Sequence, residues 1–403
     1  MDFLQLDSLE IAIAKLKKAV TDTTETILLP NAHGRVLAED FISKQNIPPF
    51  QRSSVDGYAV KTEDVAGAGE SSPAFLQLVG TVLIGHGTSH VLQNGQCIEV
   101  PTGGMIPEGT TAVVMLEYVE NFAGDIAVLK PAAMWENIVD IGDDVKTGEK
   151  ILPAGTYLGA KEIGALAALG TQEVTVFTRP KVAIISTGDE LVPYGEPTPP
   201  PLGKIHDISS HTLKIICEQY GMDVIHQSVL PDNADKLATA LTKGMETSDF
   251  VLISGGSSYG KHDITADVIS SVCKPGIFTH GLALKPGKPT ILAVDDSTKT
   301  MVLGIPGHPV SAMIVLELLL KGLAKSPPPP AIPATLATNT PADGGKKTII
   351  PCSIILEGNH YTARPIFGKS ATITTLTHAC GYFVIDEGTE GLLEGSQVVV
   401  NLL

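Results

Sequence analysis

The feature that most restricts the fold is an alternation between residues 181 and 323. Strand-like runs KVAIIS, MDVIHQSVL, FVLIS and TMVLGI alternate with helix-like runs SSHTLKIICEQYG, ADKLATALTKGM, ITADVISSVC and VSAMIVLELLLKGL. Strands that alternate with helices in this way are covered on both faces, which predicts a mostly parallel, doubly wound sheet with helices on either side. Ligands of such sheets bind outside the carboxyl ends of the strands. Three of the strands run into loops rich in Gly and Pro, namely STGDE at 186–190, SGGSSYGKHD at 254–263 and GIPGHP at 304–309. In a real sheet of this kind all three loops open onto one edge.

The middle loop carries the strongest chemical hint. After a strand, Gly255 and Gly256 let backbone N–H groups close on an anion, and the helix that follows adds partial positive charge at its N-terminus. A phosphate is the first reading. Asp263 at the end of the loop would repel a phosphate unless a metal ion or a transferable proton lies between them, so Mg²⁺ is the second. The spacing is neither that of a P-loop nor that of a dinucleotide fingerprint. Taken alone, the loop reads equally well as a tight strand-to-helix turn.

With 403 residues the chain is too long for one ordinary core. Forty-four acidic against twenty-eight basic residues give a net charge of −16, which argues against nucleic acid and against anionic membrane surfaces as partners. An anionic ligand therefore needs a local cationic pocket. No apolar stretch is long enough for a membrane span and the N-terminus lacks a basic region followed by an apolar core, so a cytoplasmic protein is expected. The five cysteines are scattered without a CxxC pair, which fits a reducing compartment and gives no support for zinc or an iron–sulfur cluster.

Along the chain, Leu9, Ile13, Leu16 and Val20 fall on one helical face behind Asp7 as a cap, with Glu10 three positions on. Short apolar runs between about Phe75 and Leu129 separated by Gly, Asn and Pro predict a compact β domain inserted into the first domain. The segment DDVKTGEKILPAGTYLGAKEIGALAALG returns to helical spacing and is expected to resume the first domain. SPPPP at 326–330 is read as a stiff linker, and the turn-separated apolar runs after it as a small C-terminal β domain. The expected division is 1–50 with 140–178 as a discontinuous linker and dimerisation domain, 51–139 as the inserted β domain, 179–326 as the α/β domain and 327–403 as the C-terminal β domain.

PPFQRSSVDGYAV, PTGGMIPEGTTAVVMLE, STGDELVP, SGGSSYGKHD, LKPGKP and GIPGHPVSA occur in that order. Together they resemble the molybdopterin molybdenumtransferase family, the MoeA and gephyrin E-domain type, in a subgroup spelled PTGGM, GGSS and PGHP. The resemblance covers essentially the whole chain and is weakest after Pro330. It implies an elongated homodimer of four-domain subunits, with an active site between the α/β domain of one subunit and the inserted β domain of the other. The reaction it implies takes adenylylated molybdopterin and molybdate, cleaves the pyrophosphate link with release of AMP, and requires Mg²⁺. It also implies transient contacts with molybdopterin adenylyltransferase and with molybdoenzyme-assembly proteins.

Residue by residue, the resemblance places functional acids at Asp56, Glu190, Asp263 and Asp144, as metal ligands and, for the first three, as catalytic groups. Thr102 becomes a hydroxyl partner from the inserted domain, and Ser258 and Ser311 lie near substrate or molybdate. Pro306 and Pro309 shape their loop. Gly255, Gly256, Lys261, Lys285 and Lys288 bind the diphosphate or the oxyanion. The chemistry asks for these types independently: lysines and backbone N–H groups hold phosphate and oxyanion oxygens, while carboxylates hold Mg²⁺ and its waters. Either Asp56 or Asp263 can activate the water. The chain departs from the family at Val139 and Pro351, where arginine is common, which motivates an alternative reading as a molybdopterin carrier or sensor without turnover. A receptor-docking scaffold is a third class, disfavoured because no long linker or fused partner is present. Molybdate and tungstate are not distinguished by these residues.

Overall fold

The computed structural model describes residues 6–122, 124–195, 199–256, 263–368 and 372–403. The chain forms two compact units. One comprises Met1–Ala38, Tyr157–Gly159 and Val174–Leu403; the other comprises Glu39–Thr156 and Ala160–Glu173.

The larger unit contains an N-terminal helix α1 (Leu9–Ala19) and the alternating elements β1 (Lys181–Thr187), α2 (Ser209–Gln219), β2 (Asp223–Leu230), α3 (Ala234–Thr247), β3 (Phe250–Ser254), α4 (Ile264–Val272), β4 (Pro275–His280), β5 (Ile291–Asp295), β6 (Thr300–Ile305) and α5 (Pro309–Leu323). The sheet order is β2-β1-β3-β6-β5-β4. The first four strands are parallel; β5 is antiparallel to β6 and to the edge strand β4, so β4 runs with the first four. Side chains alternate between faces, as a strand requires. Val182, Ile184, Leu252, Leu303 and Ile305 pack with α1, α2 and α5 on one face, while Ala183, Ile185, Val251, Ile253 and Val302 pack with α3 and α4 on the other. The three-layer arrangement expected from the alternation is therefore present.

Helix α1 forms where its periodicity requires, with Ala12 and Leu16 fully buried. Its cap differs from expectation. Ser8, not Asp7, accepts the Ile11 N–H at 3.3 Å, and Asp7 instead bonds Lys15 and the Thr279 hydroxyl. Glu10 pairs with Lys347 rather than closing a capping box. A Cβ placed on Gly322 would lie 2.5 Å from Ile13 Cδ1, so the glycine is what lets α1 pack closely on α5.

After Pro330 the chain adds β7 (Ala331–Leu336), β8 (Lys347–Glu357), β9 (His360–Pro365), β10 (Gly381–Ile385) and β11 (Gln397–Leu402). They pair in the order β8-β9-β7-β11-β10, and β10 pairs back onto β8, closing a small barrel around Phe383, Ile385, Val400 and Cys352.

The smaller unit holds a six-stranded sheet ordered Ala112–Met115, Gly57–Val60, Gln96–Val100, Ala74–Thr81, Asp125–Val128 and Val119–Phe122. The helical spacing read over residues 143–170 is realised only at Ala160–Ala168. Upstream, Gly148 and Gly155 take φ values of +86° and +84°, and Lys150–Leu152 pairs with Phe41–Ile42 as a strand. Turns at these glycines override the apolar spacing. No helix among the described residues is long and apolar enough to cross a membrane.

Candidate functional site

The carboxyl edge of the large sheet is built by register. Ser186 of β1 lies opposite Ser254 of β3, and Ser254 lies opposite Ile305 of β6, so the three strands end level and their loops emerge side by side. The approach is close enough to demand glycine. Gly255 has φ +108°, and a Cβ there would lie 2.0 Å from the Thr187 carbonyl oxygen; one on Gly307 would lie 3.3 Å from Gly255 Cα. The Thr265 hydroxyl donates to the Gly255 carbonyl at 3.1 Å and fills the space beside Gly256. These contacts hold a bare backbone at the sheet edge, the arrangement that suits an anion. Ser258 and Lys261 lie outside the described residues.

Asp263 serves two neighbours. Its Oδ1 accepts the Ala266 N–H at 3.0 Å, capping α4, and its Oδ2 stands 4.0 Å from His280 Nε2 at the end of β4. Glu190 is exposed, with its carboxylate folded back over Gly188 so that a Cβ on that glycine would meet both oxygens at 2.8 Å. Pro306 follows β6, and Pro309 opens α5 behind His308 as N-cap residue. Ser311 is buried in the first turn of that helix. Lys285 is paired with Asp343 at 2.7 Å, which holds the Asp343 carboxyl below the usual carboxylate range. Lys288 is half-buried, and its carbonyl accepts the Leu282 and Thr290 N–H groups, fixing the turn that carries it.

Two further acids at this edge escaped the sequence reading. Asp232, directly after β2, accepts the Thr187 hydroxyl at 2.8 Å. Asp207 is buried and accepts Ser186 Oγ at 3.1 Å and the Ser210 N–H at 3.2 Å, while its Oδ2 has no partner among the described residues. The signal for Asp232 was available, since LPDN ends a strand that must open on the same edge as its parallel neighbour.

In the smaller unit Asp56 and Thr102 come together: Asp56 Oδ1 accepts the Thr102 N–H at 2.8 Å, and the Asp56 carbonyl accepts the Leu116 N–H. Gly57 is obligatory beside them, because a Cβ would lie 2.0 Å from the Val114 carbonyl oxygen. Asp144 is exposed on a turn anchored through its own N–H to the Ile47 carbonyl. Val139 lies opposite Arg52 in a two-residue ladder, so the neighbouring strand carries a guanidinium where Val139 has none. Pro351 is within β8, opposite Tyr382. Among the described residues no group of three or more His, Cys, Asp or Glu side chains is close enough to enclose a metal ion.

Most of the chain has counterparts among known proteins. Residues 7–170 match the MoeA N-terminal region (domain I and II), residues 183–326 the probable molybdopterin binding domain, and residues 333–403 the MoeA C-terminal region (domain IV). A molybdopterin molybdenumtransferase of Haemophilus influenzae is 36% identical over 301 residues, covering 74% of this chain and 72% of its own length. One from Nostoc sp. is 30% identical, covering 94% of this chain and 88% of its own length. The crystal structure of a molybdopterin biosynthesis MoeA protein from Pyrococcus horikoshii superposes with a TM-score of 0.84 at 34% identity, covering 99% of each chain.

Proposed function

The chain belongs to the MoeA-type molybdopterin molybdenumtransferase family, and on that premise we propose that it transfers molybdenum from molybdate to adenylylated molybdopterin, cleaving the pyrophosphate link and releasing AMP. It is a transferase of molybdenum cofactor biosynthesis. The observation that carries the finer reading is the level ending of β1, β3 and β6, which gathers a glycine backbone, Glu190 and Asp263 at one sheet edge. Hydrolysis adds one water across the P–O–P bridge. The residues must then neutralise phosphate charge and hold the water in line.

In this reading the backbone at Gly255 and Gly256 and the lysines Lys285 and Lys288 hold phosphate or molybdate oxygens. Lys285 exchanges its bond to Asp343 for one to the ligand. Ser311, Pro306 and Pro309 shape the pocket for the oxyanion; Ser258 and Lys261 belong to the same reading. Asp263 keeps Oδ1 on the α4 cap and turns Oδ2 toward the water or its metal. Asp56, held by the Thr102 N–H, is the second candidate base. Mg²⁺ takes oxygen donors, and in this reading Asp263 and Glu190 of the larger unit, and Asp56 and Asp144 of the smaller, are the carboxylates that would hold it. When bound it supplies charge neutralisation at the diphosphate. A cytoplasmic homodimer, with transient contacts to the adenylyltransferase that supplies its substrate and to molybdoenzyme-assembly proteins, completes the proposal.

The test is reconstitution with purified adenylylated molybdopterin, following AMP release against Mg²⁺, molybdate and tungstate concentrations. Metal-stimulated AMP release that depends on the oxyanion supports the reading. Tight binding of the adenylylated substrate with no AMP release refutes it in favour of a carrier, for which the departures at Val139 and Pro351 are the sequence argument.

A further inference from the structure

The amino edge of the same sheet, opposite the loops described above, contains a cavity of about 410 Å³ wholly within the larger unit. That volume is in the range of small-molecule sites. Its floor is apolar, from Phe177, Met222, Phe250, Met301, Leu320 and Leu323. Its rim is ionic. Arg35, Arg179, Lys299 and Lys325 line it together with Asp22 and Asp249, and Glu25, Asp223 and Asp296 lie within ion-pair reach of Arg35, Arg179 and Lys299.

The bonding of these groups is uneven. Asp22 is taken by Lys325 at 2.7 Å, and Asp249 accepts the Lys181 N–H at 2.7 Å. Arg35 is bonded to Glu25 and to the Phe177 carbonyl. Arg179 and Lys299 are not satisfied in this way. Arg179 Nε is buried without an acceptor, and the guanidinium reaches Asp223 only at 3.5 Å; Lys299 stands 3.8 Å from Asp296. The Arg179 side chain is nevertheless about two-fifths exposed where it lines the cavity, so its terminal N–H groups can take an anionic ligand there. Lys325 also sits 4.2 Å over the Phe177 ring, so aromatic surface and positive charge meet at the mouth.

We propose that this cavity is a second small-molecule site, taking a flat aromatic or heteroaromatic body on the apolar floor and one anionic group, a carboxylate, sulfonate or phosphate ester, on Arg179 and Lys299. It is separate from the transferase site. The seven residues of β1 span the sheet between the two edges, about 20 Å at the usual strand rise.

The test uses 8-anilinonaphthalene-1-sulfonate, which becomes fluorescent in apolar surroundings, and its uncharged analogue N-phenyl-1-naphthylamine. One saturable sulfonate site per chain, unaffected by molybdate, is expected. In the double variant Arg179→Gln, Lys299→Gln, sulfonate affinity falls by about tenfold or more while the neutral probe stays within about twofold, because a charge-assisted bond is lost and the floor is intact. An unchanged melting temperature shows that the fold survives, and the single variants serve in its place if the double variant melts early. Non-saturable binding, equal weakening of both probes, or displacement by molybdate would overturn the proposal.

Discussion

Asp263 has two duties that one pair of substitutions can separate. Its Oδ1 caps α4 through the Ala266 N–H at 3.0 Å, and its Oδ2 is directed to His280 at 4.0 Å and, in the proposed reaction, to water or metal. Asparagine caps a helix about as well as aspartate, whereas alanine costs about 1 kcal/mol. Asp263→Asn is therefore expected to unfold at the wild-type urea midpoint, and Asp263→Ala to lose roughly 1 kcal/mol of stability in the larger unit. Catalysis should respond differently. Removing a preorganised charge that acts on the reacting phosphate lowers turnover by about 10² to 10³, so both variants should lose AMP release to that extent although only one loses stability. The assay is single-turnover AMP release with saturating Mg²⁺ and molybdate, alongside urea unfolding by far-UV circular dichroism. Wild-type turnover in Asp263→Asn would refute the catalytic assignment and leave Asp263 a helix cap.

Burial works against ionisation of Asp295, but hydrogen bonds from Ser297, the Lys274 N–H and Thr298 outweigh it and hold the carboxyl at about 2, against 3.8 ordinarily. A depressed acid stabilises the fold above its unfolded value and loses that contribution as pH falls, so a contribution on the order of 2 kcal/mol should disappear between pH about 4 and about 2; Asp295→Asn should lack that part of the acid slope in urea midpoints. Glu317, buried in α5, accepts the Tyr220 hydroxyl at 2.7 Å, and burial raises its carboxyl. Its contribution is complete below the ordinary value and is lost as pH rises through the raised one, so the melting temperature of Glu317→Gln should gain on the wild type as pH increases above the ordinary carboxylate range; a constant difference would contradict this. Gly255→Ala places a Cβ 2.0 Å from the Thr187 carbonyl oxygen at φ +108° and should cost on the order of 3 kcal/mol and abolish AMP release. Normal activity in that variant would show that the loop backbone does not cradle the anion.

Much of this protein was legible locally. The 181–323 alternation, the Gly and Pro loops after the strands and the amphipathic face of α1 depend on side-chain period and turn chemistry within a few residues, and each forms where the sequence places it. The order of motifs likewise identified the family, because those motifs are contiguous. Errors arose where distant partners compete. Asp7 looked like the cap of α1, but Lys15 and Thr279 claim its carboxylate. Residues 143–159 have helical spacing, yet Lys150–Leu152 finds a strand partner more than a hundred residues earlier in the chain. Asp232 meets Thr187 only because β2 and β1 are parallel neighbours. The sequence alone determined the four parallel strands and the helices that alternate with them, the Gly and Pro loops that follow three of those strands, and the family; the edge strands β4 and β5 were not read from it. Tertiary structure decided the β2-β1-β3-β6-β5-β4 order, the level strand ends that gather the loops, the pairing of Lys285 with Asp343 and the cavity at the opposite edge. Those depend on contacts between residues far apart in the chain, and such contacts leave no period in the sequence that joins them.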